Sequence, residues 1–326
     1  MNILDPAPDL SRNDDVTLDV NQSGGGTERV LSPEELRDIL HLKPQNNFSE
    51  FPEAQTLGLG GLGTVFAVQD THLNRMIAMK VLRPAYRNNT KYIDGLIREA
   101  RTTAQIDHPN VVPIYQIGVL NDAGAYFSMK LVEGENLRSV LKKLENRDPE
   151  YMNKYTLNAF LDIFLNICNA VSFAHSKGVL HRDIKPANIM LGAFGEVLVM
   201  DWGLAKYRAE RDNATLGQKI DLNSEIAQIV TGEHHTPFDT MDGVLQGTPA
   251  FMAPEQAIGV GDEVDERTDI YALGTILYCM LTWTRSPFPV ELSLDEILQK
   301  AAAADVVPAR KRAPKRNIPY ELDAVC

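Results

Sequence analysis

Two short runs hold the side chains best suited to chemistry. The first is His181-Arg182-Asp183-Ile184-Lys185-Pro186-Ala187-Asn188. In it Asp183 offers a carboxylate that can take or orient a hydroxyl proton, and Asn188 offers an amide oxygen to a hard metal ion. The second is Val199-Met200-Asp201-Trp202-Gly203, where Asp201 adds a metal-binding carboxylate and Gly203 lets the chain turn. A lysine, Lys80, ends the apolar alternation of Ile77-Ala78-Met79. Alone it is an edge charge; with Glu99 on a following helix to fix its flexible stem, it can hold phosphates. The run Gly58-Leu59-Gly60-Gly61-Leu62-Gly63-Thr64-Val65 supplies backbone without Cβ, able to approach a phosphate closely and aim N–H groups at it. Such a run also serves as a plain tight hairpin. It is not a Walker A loop, since no Lys-Ser/Thr follows, nor a convincing dinucleotide fingerprint, since a strand comes next rather than a helix.

Positioning these groups takes a particular set of elements. Alternation predicts strands over 56–59, 64–69 and 76–82. A helix over 91–105 places Ile93, Leu96, Ile97, Ala100 and Ala104 on one face, and strands over 111–118 and 125–131 follow. Beyond Gly134 the period turns helical, over 137–144, 157–177, 268–281 and 294–303. The fold class is therefore α+β and bilobal: a small strand-rich lobe with one main helix (55–130), a hinge near Lys130–Gly134, and a larger, mainly helical lobe (131–326). Ahead of it, Ser32-Pro33-Glu34-Glu35 starts a short helix over 34–41 within a linker, 32–54. Residues 1–31 carry Asp5, Asp9, Asp14, Asp15, Asp19 and Glu28 against Arg12; such low hydrophobicity and one-signed charge predict a disordered acidic tail.

The 326 residues are 44% hydrophobic and carry a net charge of −12, which disfavours a general nucleic-acid binder because such a protein needs a positive field. The cysteines, Cys168, Cys279 and Cys326, are far apart. They form neither a disulfide framework nor a zinc site, and they fit a reducing, cytoplasmic setting. No stretch approaches the length of apolar residues needed to span a membrane, and the first ten residues lack the features of a signal peptide.

Three further runs, Gly247-Thr248-Pro249 with Ala253-Pro254-Glu255, and Asp269-Ile270-Tyr271-Ala272-Leu273-Gly274, complete an ordered set. Together the runs resemble the eukaryotic-type (Hanks-type) protein kinase family, and most of all its bacterial Ser/Thr members, over about 55–326. The resemblance implies a protein-kinase-like fold with a small antiparallel sheet lobe. It implies that Gly58, Leu59, Gly60, Gly61 and Gly63 cover the phosphates of ATP. Val65, Ala78 and Met190 sandwich adenine, Met129 guards the back of that pocket, and Lys130 to Val132 present backbone groups to the adenine edge. Lys80, paired with Glu99, holds phosphates; Asp183 is the catalytic base; Lys185 stabilises charge on the transferred phosphoryl group. Asn188 and Asp201 bind Mg²⁺, with Mn²⁺ as an alternative ion, and Asp269 holds the His181–Arg182 backbone. Partners are ATP and a protein carrying a Ser or Thr acceptor, since Lys185 with Thr248 matches the Ser/Thr pattern. A dimer would allow autophosphorylation in trans.

Three departures from the family pattern stand out. Trp202 replaces the usual Phe. The stretch from Asp201 to Glu255 is longer than the family commonly needs, with an insertion over about 208–245 that holds Thr215, Ser224, Thr231, Thr236 and Thr240. It is either a loop insertion or a regulatory segment that Arg182 orders once phosphorylated. Finally, the chain ends at Cys326, where the family continues with further helices, one carrying an arginine that pairs with the glutamate at Glu255. A fragment of a longer protein is expected, in which a membrane anchor could follow, and Glu255 is expected to lack its partner. The basic cluster Arg310, Lys311, Arg312, Lys315 and Arg316 reads as a solvated loop between two helices, with binding of acidic partners or a nucleic acid as the less favoured alternative. A pseudokinase or scaffold, inactive through the missing helices, is the alternative to an active kinase; a small-molecule kinase of related fold is disfavoured by the segment around Thr248 and Ala253-Pro254-Glu255.

Overall fold

The computed structural model describes residues 51, 54–71, 73–207, 249–259, 264–289 and 291–326, together with Ser32. The tail 1–31, the helix expected over 34–41 and the insertion over 208–245 lie outside the described residues. The chain divides into two compact units: a smaller one, running up to Ala104 and again over Pro113–Leu131, and a larger one, Gln105–Val112 with Val132–Cys326.

The smaller unit is an antiparallel sheet of order β1-β2-β3-β5-β4, with one helix. Its elements are β1 (Gln55–Leu59), β2 (Gly63–Asp70), β3 (Arg75–Leu82), α1 (Thr90–Gln105), β4 (Ile114–Leu120) and β5 (Gly124–Lys130). Phe66, Val68, Ile77, Met79, Val81 and Tyr126 cluster in a core on one sheet face. Because successive strand residues point to opposite faces, Val65, Ala78, Lys80, Phe127 and Met129 share the other. The register confirms this: Val65 lies opposite Lys80, Ala78 opposite Met129, and Lys80 opposite Phe127. In α1 the residues Ile93, Leu96, Ile97 and Ala100 are buried, and so is Glu99; Ala104, expected on the same face, is exposed in the last turn.

The strand expected over 111–118 starts later, at Ile114. Pro113 has no N–H to give a ladder, and Val111 instead makes a lone parallel bridge to Val199. The neighbouring Asn110 accepts from the Val199 N–H through its carbonyl at 2.8 Å, and its Nδ2 donates to the Val197 carbonyl at 2.9 Å. These bonds tie 105–112 to the larger unit, so the lobe boundary expected near 130 captures only the last of the chain's three crossings.

The larger unit contains β6 (Gly134–Asn136), α2 (Leu137–Glu145), α3 (Pro149–Lys154), α4 (Leu157–Ser176), β7 (Val179–Leu180), β8 (Ile189–Gly192), β9 (Val197–Val199) and β10 (Lys206–Tyr207). These are followed by α5 (Pro254–Ile258), α6 (Glu266–Thr282), α7 (Leu294–Ala302), α8 (Ala309–Arg312) and α9 (Tyr320–Val325). Strands β6, β8 and β9 form one small sheet, and β7 pairs with β10. Polar caps set the helix starts by satisfying free N–H groups. Asn136 accepts from Ser139 N, Thr156 from Ala159 N and Asp265 from Arg267 N, while Ser293 and Glu296 form a reciprocal capping box. By length and composition alone α4 would qualify as a membrane span, which counting consecutive apolar residues did not reveal. Its Phe160, Ile167, Ala170, Val171 and Ala174 are buried in the unit's core.

Candidate active site

In the smaller unit, Lys80 Nζ donates to both Glu99 carboxylate oxygens, at 2.6 and 2.8 Å. Lys80 sits on β3 and Glu99 on the buried face of α1, so the pair fixes the lysine stem between strand and helix. The ammonium also lies 5.8 Å from the Phe127 ring centre. Ala78 and Met129 are buried and Val65 is half-buried; all three line the same sheet face as Lys80. Lys130 closes β5, its N–H donating to the Pro113 carbonyl at 3.1 Å.

The glycines of the β1–β2 turn differ in what they serve. A Cβ on Gly63 would meet the Val81 carbonyl oxygen at 2.8 Å, so this glycine is required by the close approach of β2 to β3. Gly60 donates its N–H to the Gly63 carbonyl at 2.8 Å, and its Cβ would come within 3.3 Å of that oxygen. Gly58 and Gly61 would meet nothing within 4 Å, so no contact among the described residues demands glycine there. Leu59 is 72% exposed at the turn.

In the larger unit, Asp183, Lys185 and Asn188 come together. Lys185 Nζ donates to Asp183 Oδ2 at 2.6 Å. Asn188 Nδ2 donates to the Asp183 carbonyl at 2.9 Å and to Asp183 Oδ2 at 3.2 Å. This commits the amide's donor side and leaves its oxygen as the group to ligate a cation. Burial holds the Asp183 carboxyl above the usual carboxylate range; the Lys185 ammonium opposes that shift and the Asp201 carboxylate reinforces it. Asp201 is exposed and left-handed, with φ of 60°, a conformation that costs an L-residue roughly 1–2 kcal/mol. The Met200 N–H beside it donates to the Asn188 carbonyl at 2.8 Å. Met190 lies half-buried on β8, and Val132 half-buried just before β6.

A buried anion holds the run in place. Asp269 is fully buried on α6. It accepts from His181 N and His175 Nε2 through Oδ2, each at 2.8 Å, and from Arg182 N through Oδ1 at 2.8 Å. Arg182 is left-handed, φ 68°, and its carbonyl accepts from Gln256 Nε2 at 2.8 Å. His181 Nδ1 accepts from Asp183 N at 3.3 Å while Nε2 donates to the Met200 carbonyl at 3.1 Å, which fixes the neutral Nε2–H tautomer. Its ring lies 4.4 Å from that of Trp202, which is 1% exposed; the larger ring is accommodated as core.

His175 and Gln256 were missed by the sequence reading. Nothing in the spacing from His175 to Asp269 signals a contact. For Gln256 a signal exists: it stands three residues after Ala253, whose N–H donates to Gln256 Oε1 at 3.1 Å, a helix-start pattern. Glu255 has a hydrogen-bond partner that the sequence did not signal. It is half-buried and accepts a hydrogen bond from Thr268 Oγ1. Among the described residues no cluster of three or more His, Cys, Asp or Glu side chains could hold a metal. Asn188 and Asp201 are a two-oxygen set, suited to an ion that completes its shell with water and phosphate oxygens, as Mg²⁺ does.

The sequence matches the family model of the protein kinase domain over residues 51–323. Among curated proteins it is similar to the serine/threonine-protein kinase PknD of Chlamydia trachomatis, 38% identical over 275 residues, covering 82% of this chain and 28% of that protein. It is also similar to PknD of Protochlamydia amoebophila, 36% identical over 276 residues, covering 82% and 26%, and to PknD of Chlamydia muridarum, 37% identical over 274 residues, covering 82% and 28%. The chain thus spans little more than a quarter of the length of these relatives.

Proposed function

The chain belongs to the protein kinase domain family, and from that premise we propose that it transfers the γ-phosphoryl group of ATP to Ser or Thr hydroxyls of a protein. The observation that carries this reading is the Asp183–Lys185–Asn188 arrangement, a half-buried carboxylate with an ammonium at 2.6 Å and an amide oriented by the same aspartate.

In this reading Asp183 accepts the hydroxyl proton as the acceptor oxygen bonds to the γ-phosphorus and the bond to the β-phosphate oxygen breaks, releasing ADP. Its raised proton affinity suits a group that must bind that proton. Lys185 stabilises charge on the phosphoryl oxygens, and Lys80, fixed by Glu99, holds the other phosphates. Asn188 and Asp201 would hold Mg²⁺, which when bound neutralises phosphate charge. Gly58 and Gly61 leave room for the phosphates. The Ser/Thr preference rests on Lys185 with Thr248 and on the names of the relatives. The need for ATP favours a cytoplasmic location.

We extend the reading to autophosphorylation within 208–245, which Arg182 would sense. Labelled ATP and Mg²⁺ with the chain, beside Asp183→Asn and Asp201→Ala, test the proposal. Transfer to Ser/Thr by the parent chain alone is expected. ATP binding with no transfer by the parent chain would refute catalysis and leave a scaffold. Mass spectrometry of an active preparation without phosphate in 208–245 would refute the extension.

A further inference from the structure

The basic cluster of the larger unit is solvated at Arg310, Lys311, Arg312 and Lys315, as expected, but it is not a plain loop, since α8 carries three of its cations. Arg310, Lys311, Lys315, Arg316, Asn317 and Asp323 line a concavity of about 600 Å³, a size in the range of ligand pockets. Asp323 is committed to the Arg310 backbone N–H at 3.0 Å. Among the described residues none of the four cations has an ion-pair partner, although the chain carries 44 acidic residues against 32 basic.

Arg316 is the fixed element. Its guanidinium carbon lies 3.3 Å from the centre of the Trp283 ring, and Trp283 is itself anchored at the end of α6 in a left-handed conformation, φ 57°. Stacking of this kind presets a planar fork and leaves less rotamer entropy to lose on binding. Burial without a compensating carboxylate lowers the affinity of Arg316 for its proton, to a pKa of about 10. Arg316 Nε and Trp283 Nε1 are both buried without a hydrogen-bond acceptor among the described residues, where buried donors ordinarily have one. The concavity thus carries four cations against the one carboxylate of Asp323.

We propose that this concavity, which shares no residue with the Asp183–Asp201 set, binds a phosphomonoester dianion carried as phosphoserine or phosphothreonine on a protein. A compact dianion fits better than a nucleic acid, because the net charge of −12 repels a long polyanion while four local cations attract a small one. The choice of a protein-borne phosphate rests on the kinase reading, whose product is such a residue. The site would hold a segment that has already been phosphorylated.

The test is calorimetric titration of the chain, without nucleotide, with four probes: an otherwise neutral phosphothreonine peptide, its unphosphorylated twin, inorganic phosphate and a single-stranded oligonucleotide. The phosphopeptide is expected to bind and its twin not to. The exposed pair Lys311→Gln with Lys315→Gln should weaken binding about tenfold without moving the melting temperature, and Arg316→Lys should weaken it with the charge retained. In a Trp202→Phe background, the remaining Trp283 should change its emission on binding. Equal binding of the twin, inorganic phosphate as tight as the peptide, a tighter oligonucleotide, or affinity unchanged in the double lysine variant would each overturn the proposal. Binding needs no transfer, so its failure leaves the kinase reading standing. A catalytically silent chain that still bound the peptide would sink only that reading.

Discussion

Replacing Asp269 by Asn changes one atom and removes one charge, yet it should disable both the packing and the chemistry of the larger unit. The aspartate is fully buried and takes three N–H donors, two on Oδ2 and one on Oδ1. An asparagine has a single acceptor oxygen. If that oxygen takes the place of Oδ2, the Arg182 N–H faces an NH₂ group; if it takes the place of Oδ1, His175 and His181 do. At least one charge-assisted bond is lost, about 1.5–3 kcal/mol, and at least one buried donor is stranded, about 1–3 kcal/mol. Part is offset because no charge need be desolvated, leaving an expected loss of about 3 kcal/mol. With its anchor gone, Arg182 can relax from φ 68°, and Asp183 moves with it. Urea unfolding followed by circular dichroism should show an earlier midpoint at unchanged slope, and phosphoryl transfer should fall at least a hundredfold. Asp265→Ala, which removes the cap of the same helix, is the control: about 1 kcal/mol with activity retained. An Asp269→Asn chain within 0.5 kcal/mol of the parent and turning over normally would refute the reasoning.

Lys80→Met should silence transfer and destabilise the chain by about 3 kcal/mol, because Glu99, 8% exposed, loses the ammonium that offsets its burial; adding Glu99→Leu should restore the unfolding midpoint but not activity. Gly63→Ala should cost about 1–3 kcal/mol through the Val81 carbonyl contact, whereas Gly61→Ala, built into open space, should leave stability unchanged and weaken ATP binding. For Asp183 the folded carboxyl holds its proton more tightly than the unfolded one. Charging it therefore costs the folded state as pH rises past about 4, and the cost is complete above the folded pKa. Asp183→Asn should accordingly melt no lower than the parent at neutral pH while losing activity, and the acid limb of the parent's pH–rate profile should lie above the ordinary carboxylate value, as a titration of kcat would show.

The sequence was most readable where one physical rule acts alone. Alternation in Ile77–Leu82 and the apolar face of α1 located β3 and its helix to within a residue or two, and with them the Lys80–Glu99 pair. The Asp183–Asn188 run was legible because its chemistry is local. Reading failed where rules compete or where partners are remote. Pro113 divides an apolar stretch that looks like one strand, and Val111 goes to another sheet. Gly63 looks like a phosphate-approach residue but is required by the Val81 carbonyl. His175 reaches Asp269 across the fold, and Thr268 donates to Glu255, a pairing that residue types and spacing do not signal. The basic cluster gave no sign of being concave, because the stacking of Arg316 on Trp283 is a tertiary fact.

The detour of Gln105–Val112 into the larger unit makes both units discontinuous in the chain. A fragment that ends at Leu131 carries away Asn110 and Val111, and with them the bonds they make to Val197 and Val199; a fragment that starts at Val132 lacks them just as surely. No single cut releases either unit whole. Transplanting the sheet of the smaller unit between relatives therefore means moving two pieces, 54–104 and 113–131, and leaving the recipient's own eight-residue insert in place.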